Sequence, residues 1–360
     1  MTATALPTTI EALTPGWLTD SLRASGGISA DAEVVSFDAE SIGEGVGFTS
    51  YLYRLKLTLS NGQVMSVVAK LPTTTDYLQI AKAFRAYARE VAFYAAVAPQ
   101  CPLNTPVVHV AEIDSEGHEF IILMEDLGYL ENGDHVAGIP FERAERVVDQ
   151  LALLHAWGWD LPSDEAAHPE FEGLDSPAMT GLFTMGIAAG WETYRPKARV
   201  PIPPGLSELI EDWPTRLPRM VAELTEPVTV VNGDLRVDNM FFDSEGSPTI
   251  VDFQMTMRAA GIWDVAYLVG QGMTPTQRAG RERELVARYV DGLAKAGITY
   301  SFDEAWRQFR VALVAQLTYP LTAGMSWDGL NDRARELLHA LNERAFAIIA
   351  DTDALQALPD

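Results

Sequence analysis

The chain has 360 residues, of which 48% are hydrophobic and 21% charged, the composition of a folded globular protein with length for one large or two ordinary domains. With 50 acidic against 26 basic side chains its net charge is −24, which would repel nucleic acid and anionic lipid and argues against both as partners. A single cysteine, Cys101, excludes an intramolecular disulfide; with no visible signal peptide and no run of about 18 apolar residues, a cytoplasmic protein without a membrane span is expected.

Thr14-Pro15-Gly16-Trp17 sets a capping threonine before a proline at the first helical position and predicts a short helix. From 34 to 72 the pattern is extended. Residues 41–50 are glycine-rich, 51–59 alternate around Leu52, Leu55, Leu57 and Leu59, Asn61-Gly62 is a hairpin turn signal, and 64–71 form the return strand. Over 77–98, Ile80, Phe84, Tyr87, Val91, Tyr94 and Ala98 recur at helical spacing, with Lys82, Arg85 and Arg89 off that stripe and Pro99 closing the helix. Two further strands are predicted at 107–113 and 119–124. The character then changes, which places a first lobe at 1–124, a hinge at 125–128 and a second lobe at 129–360. In the second lobe 141–159 is a helix, 160–178 a Pro- and acid-rich connection, and 179–224 helical. Short strands are expected within 228–242 and 248–252, and helices dominate from 276 onward. The predicted class is α+β, a small β-rich lobe followed by a larger, mostly helical one.

The most informative stretch is 231–254. Asp234 is followed five residues later by Asn239, and Asp252 ends the apolar run Thr249-Ile250-Val251 and precedes Phe253. Asp-x-x-x-x-Asn followed by Asp-Phe is the catalytic-loop and metal-loop spacing of kinase-like phosphotransferases. Such chemistry needs a carboxylate to receive the acceptor hydroxyl's proton, for which Asp234 is the candidate. It also needs an amide oxygen and a second carboxylate to hold Mg²⁺ against phosphates, for which Asn239 and Asp252 are the candidates. Arg236 could stabilise charge on a transferring phosphoryl group, or form a surface salt bridge. Lys70 ends the apolar strand Ser66-Val67-Val68-Ala69, a placement suited to the α- and β-phosphates of ATP, and Glu90 is the only acid in the 77–98 helix that could orient it. Gly43, Gly45 and Gly47 could bring backbone amides against phosphate, although no Gly-Lys-Ser/Thr follows. At the lobe boundary, the Glu125 carbonyl and Leu127 amide are candidates for adenine, while the Glu125 and Asp126 side chains could simply face water. Asp264 reads as structural, capping its helix or bonding the catalytic-loop backbone, and His155 as a satisfied core histidine.

Val231-Asn232-Gly233-Asp234-Leu235-Arg236-Val237-Asp238-Asn239-Met240, Val251-Asp252-Phe253-Gln254, Trp263-Asp264-Val265-Ala266-Tyr267, the Lys70 strand, the Glu90 helix and Leu123-Met124-Glu125-Asp126-Leu127 together resemble the aminoglycoside phosphotransferase and choline kinase superfamily. Within it they look most like the ecdysteroid-kinase-like branch, where Asp-Phe-Gln replaces Asp-Phe-Gly. The resemblance implies a two-lobed protein-kinase-like fold, ATP with Mg²⁺, and phosphorylation of a small-molecule alcohol. One departure stands out: the family's usual His-Gly-Asp is Asn232-Gly233-Asp234 here. That histidine serves as a scaffold for the metal loop, and asparagine can still donate a hydrogen bond. Activity is therefore expected, with a nucleotide-binding pseudokinase as the alternative. For the acceptor, Trp157, Trp159, Phe183, Met185, Trp191, Tyr194, Tyr319 and Trp327 supply aromatic and soft apolar surface, mostly as core. Asp160, Asp164, Glu165, Glu170 and Glu172 could attract an amine or form a solvated loop. A partly apolar alcohol is expected ahead of a polycationic aminoglycoside.

Overall fold

The computed structural model of the protein describes residues 6–42, 50–74, 77–159, 171–278 and 280–359. Two compact units are present: Met1–Gln100 with Thr105–Tyr129, and Cys101–Asn104 with Leu130–Asp360.

The first unit is an antiparallel sheet of β1 (Val34–Ile42), β2 (Ser50–Leu59), β3 (Val64–Pro72), β4 (Val108–Ile113) and β5 (Phe120–Glu125), in the order β1-β2-β3-β5-β4. Period-two alternation sorts its faces. Leu55, Leu57 and Leu59 of β2 and Val67, Ala69 and Leu71 of β3 are buried in one cluster with Leu18 and Leu22 of α1 (Pro15–Ala24). Each such leucine contributes roughly 1.5–3 kcal/mol by leaving water. Lys70, between Ala69 and Leu71, is sent to the opposite face by the same alternation. As expected, the Thr14 hydroxyl caps α1 by accepting the Trp17 N–H at 3.2 Å. Gly62 takes φ +83° in the β2–β3 turn, where a side chain would be strained.

The predicted helix over 77–98 is interrupted. It forms α2 (Tyr77–Ala83), then α3 (Ala86–Ala92) after Arg85 in a left-handed conformation, then a π-turn at Phe93–Val97. α3 is buried on every side, so Arg89, expected off the apolar stripe, is only 1% exposed. Periodicity could not reveal this, because the apolar spacing runs unbroken across the junction.

In the second unit, β6 (Glu131–Asn132), β8 (Met240–Phe242) and β9 (Pro248–Ile250) form one small sheet, ordered β6-β8-β9. β7 (Val228–Val231) pairs antiparallel with β10 (Met257–Ala260), a strand the sequence pattern did not suggest. Helix α4 (Phe141–Trp157) buries Val147, Val148, Leu151 and Leu154. Asn104 accepts the Ile250 N–H at 2.9 Å, which is why 101–104 belong to this unit. A long helix at Asp332–Asp351, capped by Asn331, is followed by a 3₁₀ turn at Ala354–Ala357. No helix among the described residues is long and apolar enough to cross a membrane.

Candidate active site

The second unit draws Asp234, Arg236, Asn239 and Asp252 together. Strand β7 ends at Val231, and after Asn232 the backbone turns through Gly233 at φ +84°. A Cβ at Gly233 would lie 2.3 Å from the Met255 carbonyl, so only glycine lets the two loops approach this closely. The turn is fastened by Asp264, which is fully buried. Its carboxylate accepts the N–H of Asn232 at 2.7 Å and of Gly233 at 3.0 Å, the second of the two roles expected for it. His155, also fully buried, lies with Nε2 3.3 Å from Asp264 and Nδ1 3.0 Å from the Tyr289 hydroxyl, a satisfied core histidine as expected. Because a carboxylate can only accept, the His155 proton sits on Nε2.

Asn232 ties the two loops side chain to backbone. Its Oδ1 accepts the Asp234 N–H at 3.0 Å and its Nδ2 donates to the Asp252 carbonyl at 3.2 Å. The asparagine that departs from His-Gly-Asp therefore makes a bond to the loop carrying the second acid. A further tie runs through the backbone: Val251 N–H donates to the Asn239 carbonyl at 3.0 Å.

The Asp234 carboxylate is oriented from below. Tyr267 donates to its Oδ1 at 2.9 Å, and Arg236 Nε stands 3.5 Å from Oδ2. Burial raises the Asp234 pKa above the usual carboxylate range; Arg236 opposes that shift, and the Asp252 charge reinforces it. Burial, then the Asp234 charge, push the Tyr267 hydroxyl well above its ordinary range, so it remains a donor. Arg236 and Asp234 are only 14% and 15% exposed, so theirs is not the surface salt bridge allowed as one reading. Asn239 is buried and donates from Nδ2 to the Asp234 carbonyl at 3.3 Å, leaving the amide oxygen on the other arm. Asp252 stands at φ +68°, a strained backbone for a non-glycine residue. Among the described residues no cluster of three or more His, Cys, Asp or Glu side chains could hold a metal. One carboxylate and one amide oxygen instead suit Mg²⁺, which keeps much of its shell for phosphate and water.

In the first unit, Lys70 Nζ is 2.8 and 2.7 Å from the two oxygens of Glu90, and both residues are buried. Gly43, Gly45 and Gly47 lie outside the described residues, as do Asp160, Asp164, Glu165 and Glu170. Glu125 ends β5, and its carboxylate accepts the Val107 N–H at 3.1 Å and the Tyr129 hydroxyl at 2.8 Å. Asp126 accepts from Arg54 Nε at 2.8 Å, Ser66 Oγ at 2.6 Å and Gly128 N–H at 3.0 Å. The idea that these two side chains simply face water is thus corrected: both are bonded to neighbours within the first unit. Leu127 between them is buried.

Sequence reasoning did not place Tyr267 or His135 as loop supports, and it named Tyr319 only as aromatic surface. Tyr267 lies one helical turn after Asp264, a spacing that could have paired them as loop supports. Tyr319 donates to the Gly233 carbonyl, and its ring packs edge-on to Tyr267 at 5.3 Å. His135 accepts the Val237 N–H at 3.0 Å inside the Asp234–Asn239 loop, with no local signal to announce it. Of the aromatic and soft apolar residues named for an acceptor, Phe183, Trp191 and Tyr194 are core, while Met185 is 53% exposed.

Several solved structures share this fold at low identity. Choline kinase from Cryptosporidium parvum matches with a TM-score of 0.56 and 10% identity, covering 94% of this chain and 97% of its own. Plasmodium vivax ethanolamine kinase gives a TM-score of 0.53 and 11% identity over 88% and 83%. The GDP complex of an aminoglycoside 2'-phosphotransferase-IIIa mutant gives 0.53 and 17% over 94% and 100%. No curated protein matches. The architecture is therefore the two-lobed kinase-like one expected from the sequence, with a β-rich first unit and a helical second. The model of the ecdysteroid kinase-like family matches residues 44–298, most of the chain, and the protein accordingly belongs to that family.

Proposed function

We propose that this protein is an ATP- and Mg²⁺-dependent phosphotransferase that moves the γ-phosphate of ATP to a hydroxyl of a small molecule. The observation that carries this reading is the convergence of Asp234, Asn239 and Asp252 on two loops tied by Asn232. In this reading one oxygen of Asp234 is engaged by Tyr267, and the other receives the acceptor hydroxyl. The hydroxyl oxygen bonds to the γ-phosphorus as the bond to the β-phosphate oxygen breaks. Its proton passes to Asp234, giving a phosphate monoester, ADP and, after release, one proton. The raised pKa of Asp234 makes it a better proton acceptor than an exposed carboxylate. Asn239 and Asp252 hold Mg²⁺, which when bound neutralises phosphate charge. Arg236 supports the charge on the transferring group, and Lys70, oriented by Glu90, binds the α- and β-phosphates. The Glu125 carbonyl and Leu127 amide are assigned to adenine, and the Gly43, Gly45 and Gly47 amides to phosphate.

The test is nucleotide turnover over a panel of alcohols, from choline and aminoglycosides to apolar alcohols, with ATP and GTP side by side because the aminoglycoside enzyme above was solved with GDP. Asp234→Ala and Asp252→Ala are each expected to lower the rate by about 10³-fold. An unchanged rate in either variant rejects its assigned role. Mg²⁺-ATP binding without transfer to any acceptor would favour the pseudokinase reading. Asn232 prompted that alternative, but its bonds to both loops support the active one.

A further inference from the structure

Below the Asp234–Asn239 loop, 132–136 wraps the backbone of 237–240. Asn132 Nδ2 donates to the carbonyls of Asp238 at 3.0 Å and Met240 at 3.2 Å, and Gly133 N–H donates to Met240 at 2.8 Å. A Cβ at Gly133 would come within 2.3 Å of the Val237 carbonyl. His135 sits at the centre of this wrap, fully buried, with its ring Nδ1 accepting the Val237 N–H and its own N–H donating to Asp238 Oδ1 at 2.8 Å. Its carbonyl accepts Arg344 Nη1 at 2.7 Å. The same guanidinium also donates to Val136 at 2.7 Å and Gln271 at 3.0 Å.

We infer that His135 is a positioning residue for the phosphotransfer loop, acting through an unprotonated Nδ1 that fixes the Val237 amide and held in place by Arg344 from the C-terminal helix. Val237 stands between Arg236 and Asn239, in the short 3₁₀ turn (Val237–Asn239) where Asn239 N–H donates to the Arg236 carbonyl at 2.9 Å. Whatever fixes that amide therefore fixes the approach of Asp234 and Asn239. A ring proton on Nδ1 would set N–H against N–H and break the anchor, so the function demands the neutral Nε2–H tautomer. The surroundings keep the ring neutral: burial first, then the Arg344 and Arg236 charges, hold the His135 pKa well below the ordinary histidine value, with Asp134 opposing, and the Val237 N–H then sets the tautomer. This role deepens the phosphotransferase reading, and its consequence for turnover rests on that reading.

The experiment compares His135→Asn with His135→Gln in the full chain. Asn carries its amide oxygen where Nδ1 stands and can accept from Val237. Gln carries its polar end where Nε2 stands and cannot. Hydrogen exchange of the 235–240 amides is expected to speed up about tenfold or more in the Gln variant and to stay near wild type in the Asn variant. With an acceptor in hand, kcat is expected to fall about tenfold in the Gln variant at nearly constant KM and to recover in the Asn variant, although Asn leaves the larger cavity. If exchange and kcat merely follow overall stability in both variants, or if Gln leaves the loop protected, His135 is packing and nothing more. If neither variant folds, the ring ¹⁵N spectrum of the wild-type chain decides: a protonated Nδ1 between pH 6 and 8 overturns the inference. A wild-type protein without any transfer activity defeats the proposed function but leaves the exchange and tautomer results to judge His135.

Discussion

Replacing Asp264 by Asn removes one negative charge and almost no volume, which makes it a sharp probe of how the candidate site is held. The buried carboxylate accepts three donors: Asn232 N–H at 2.7 Å, Gly233 N–H at 3.0 Å and His155 Nε2 at 3.3 Å. An amide offers one oxygen and one NH₂. In its better orientation the oxygen keeps Asn232 and His155, and the NH₂ then faces the Gly233 N–H, donor against donor. Two buried donors are left without acceptors, at roughly 1–3 kcal/mol each, and the surviving bonds lose their charge assistance. A destabilisation of about 4 kcal/mol follows, a large share of the ~5–15 kcal/mol available to a folded domain. Urea unfolding followed by circular dichroism should show the midpoint lowered by about 1.5 M, for a slope of about 2–3 kcal/mol per M. Phosphotransfer should fall with it even well below the midpoint, because Gly233 precedes Asp234. A midpoint within about 0.3 M of wild type would show that Asp264 does not carry the anchoring role drawn from its distances.

Tyr267→Phe removes the hydroxyl that orients Asp234 Oδ1, and kcat is expected to fall about tenfold with the nucleotide KM unchanged; steady-state kinetics check it, and a fall in nucleotide affinity alone would count against this role. Gly233→Ala sets a Cβ against the Met255 carbonyl at positive φ, and should cost more than 2 kcal/mol by denaturant unfolding, against at most about 1 kcal/mol at an unconstrained site. His135 gives a pH signature. Its folded-state pKa lies below an unfolded value of about 6.5, so its contribution is fully present above that pH and is lost as pH falls beneath it. Between pH 7.5 and 5.5 the wild type should lose about 1.4 kcal/mol more stability than His135→Asn, measured by urea titration at each pH. Arg344, Arg236 and Asp134 act on that ring and Asp238 accepts the His135 backbone N–H, and all four are unchanged in the comparison.

Legibility in the sequence followed how far apart the cooperating residues lie. The Lys70 strand could be read because alternation is local, and the same local rule turns Lys70 away from the leucine face. The spacing of Asp234, Asn239 and Asp252 was legible because all three fall within nineteen residues. Long-range supports were not: His135 precedes Val237 by 102 residues and Arg344 follows His135 by 209, and no periodicity links them. The break between α2 and α3 escaped for the opposite reason, since the local pattern there is regular and tertiary burial overrides it. From the sequence Asp126 could simply face water, yet Arg54 of β2 and Ser66 of β3 reach it from far along the chain.

At position 252 comfort and chemistry pull in opposite directions. A backbone at φ +68° suits glycine, and an aspartate pays roughly 1 kcal/mol to stay there. Engineering for heat resistance by relaxing awkward backbone would choose this residue early and would gain a sturdier chain. It would also delete the acid proposed here to hold Mg²⁺.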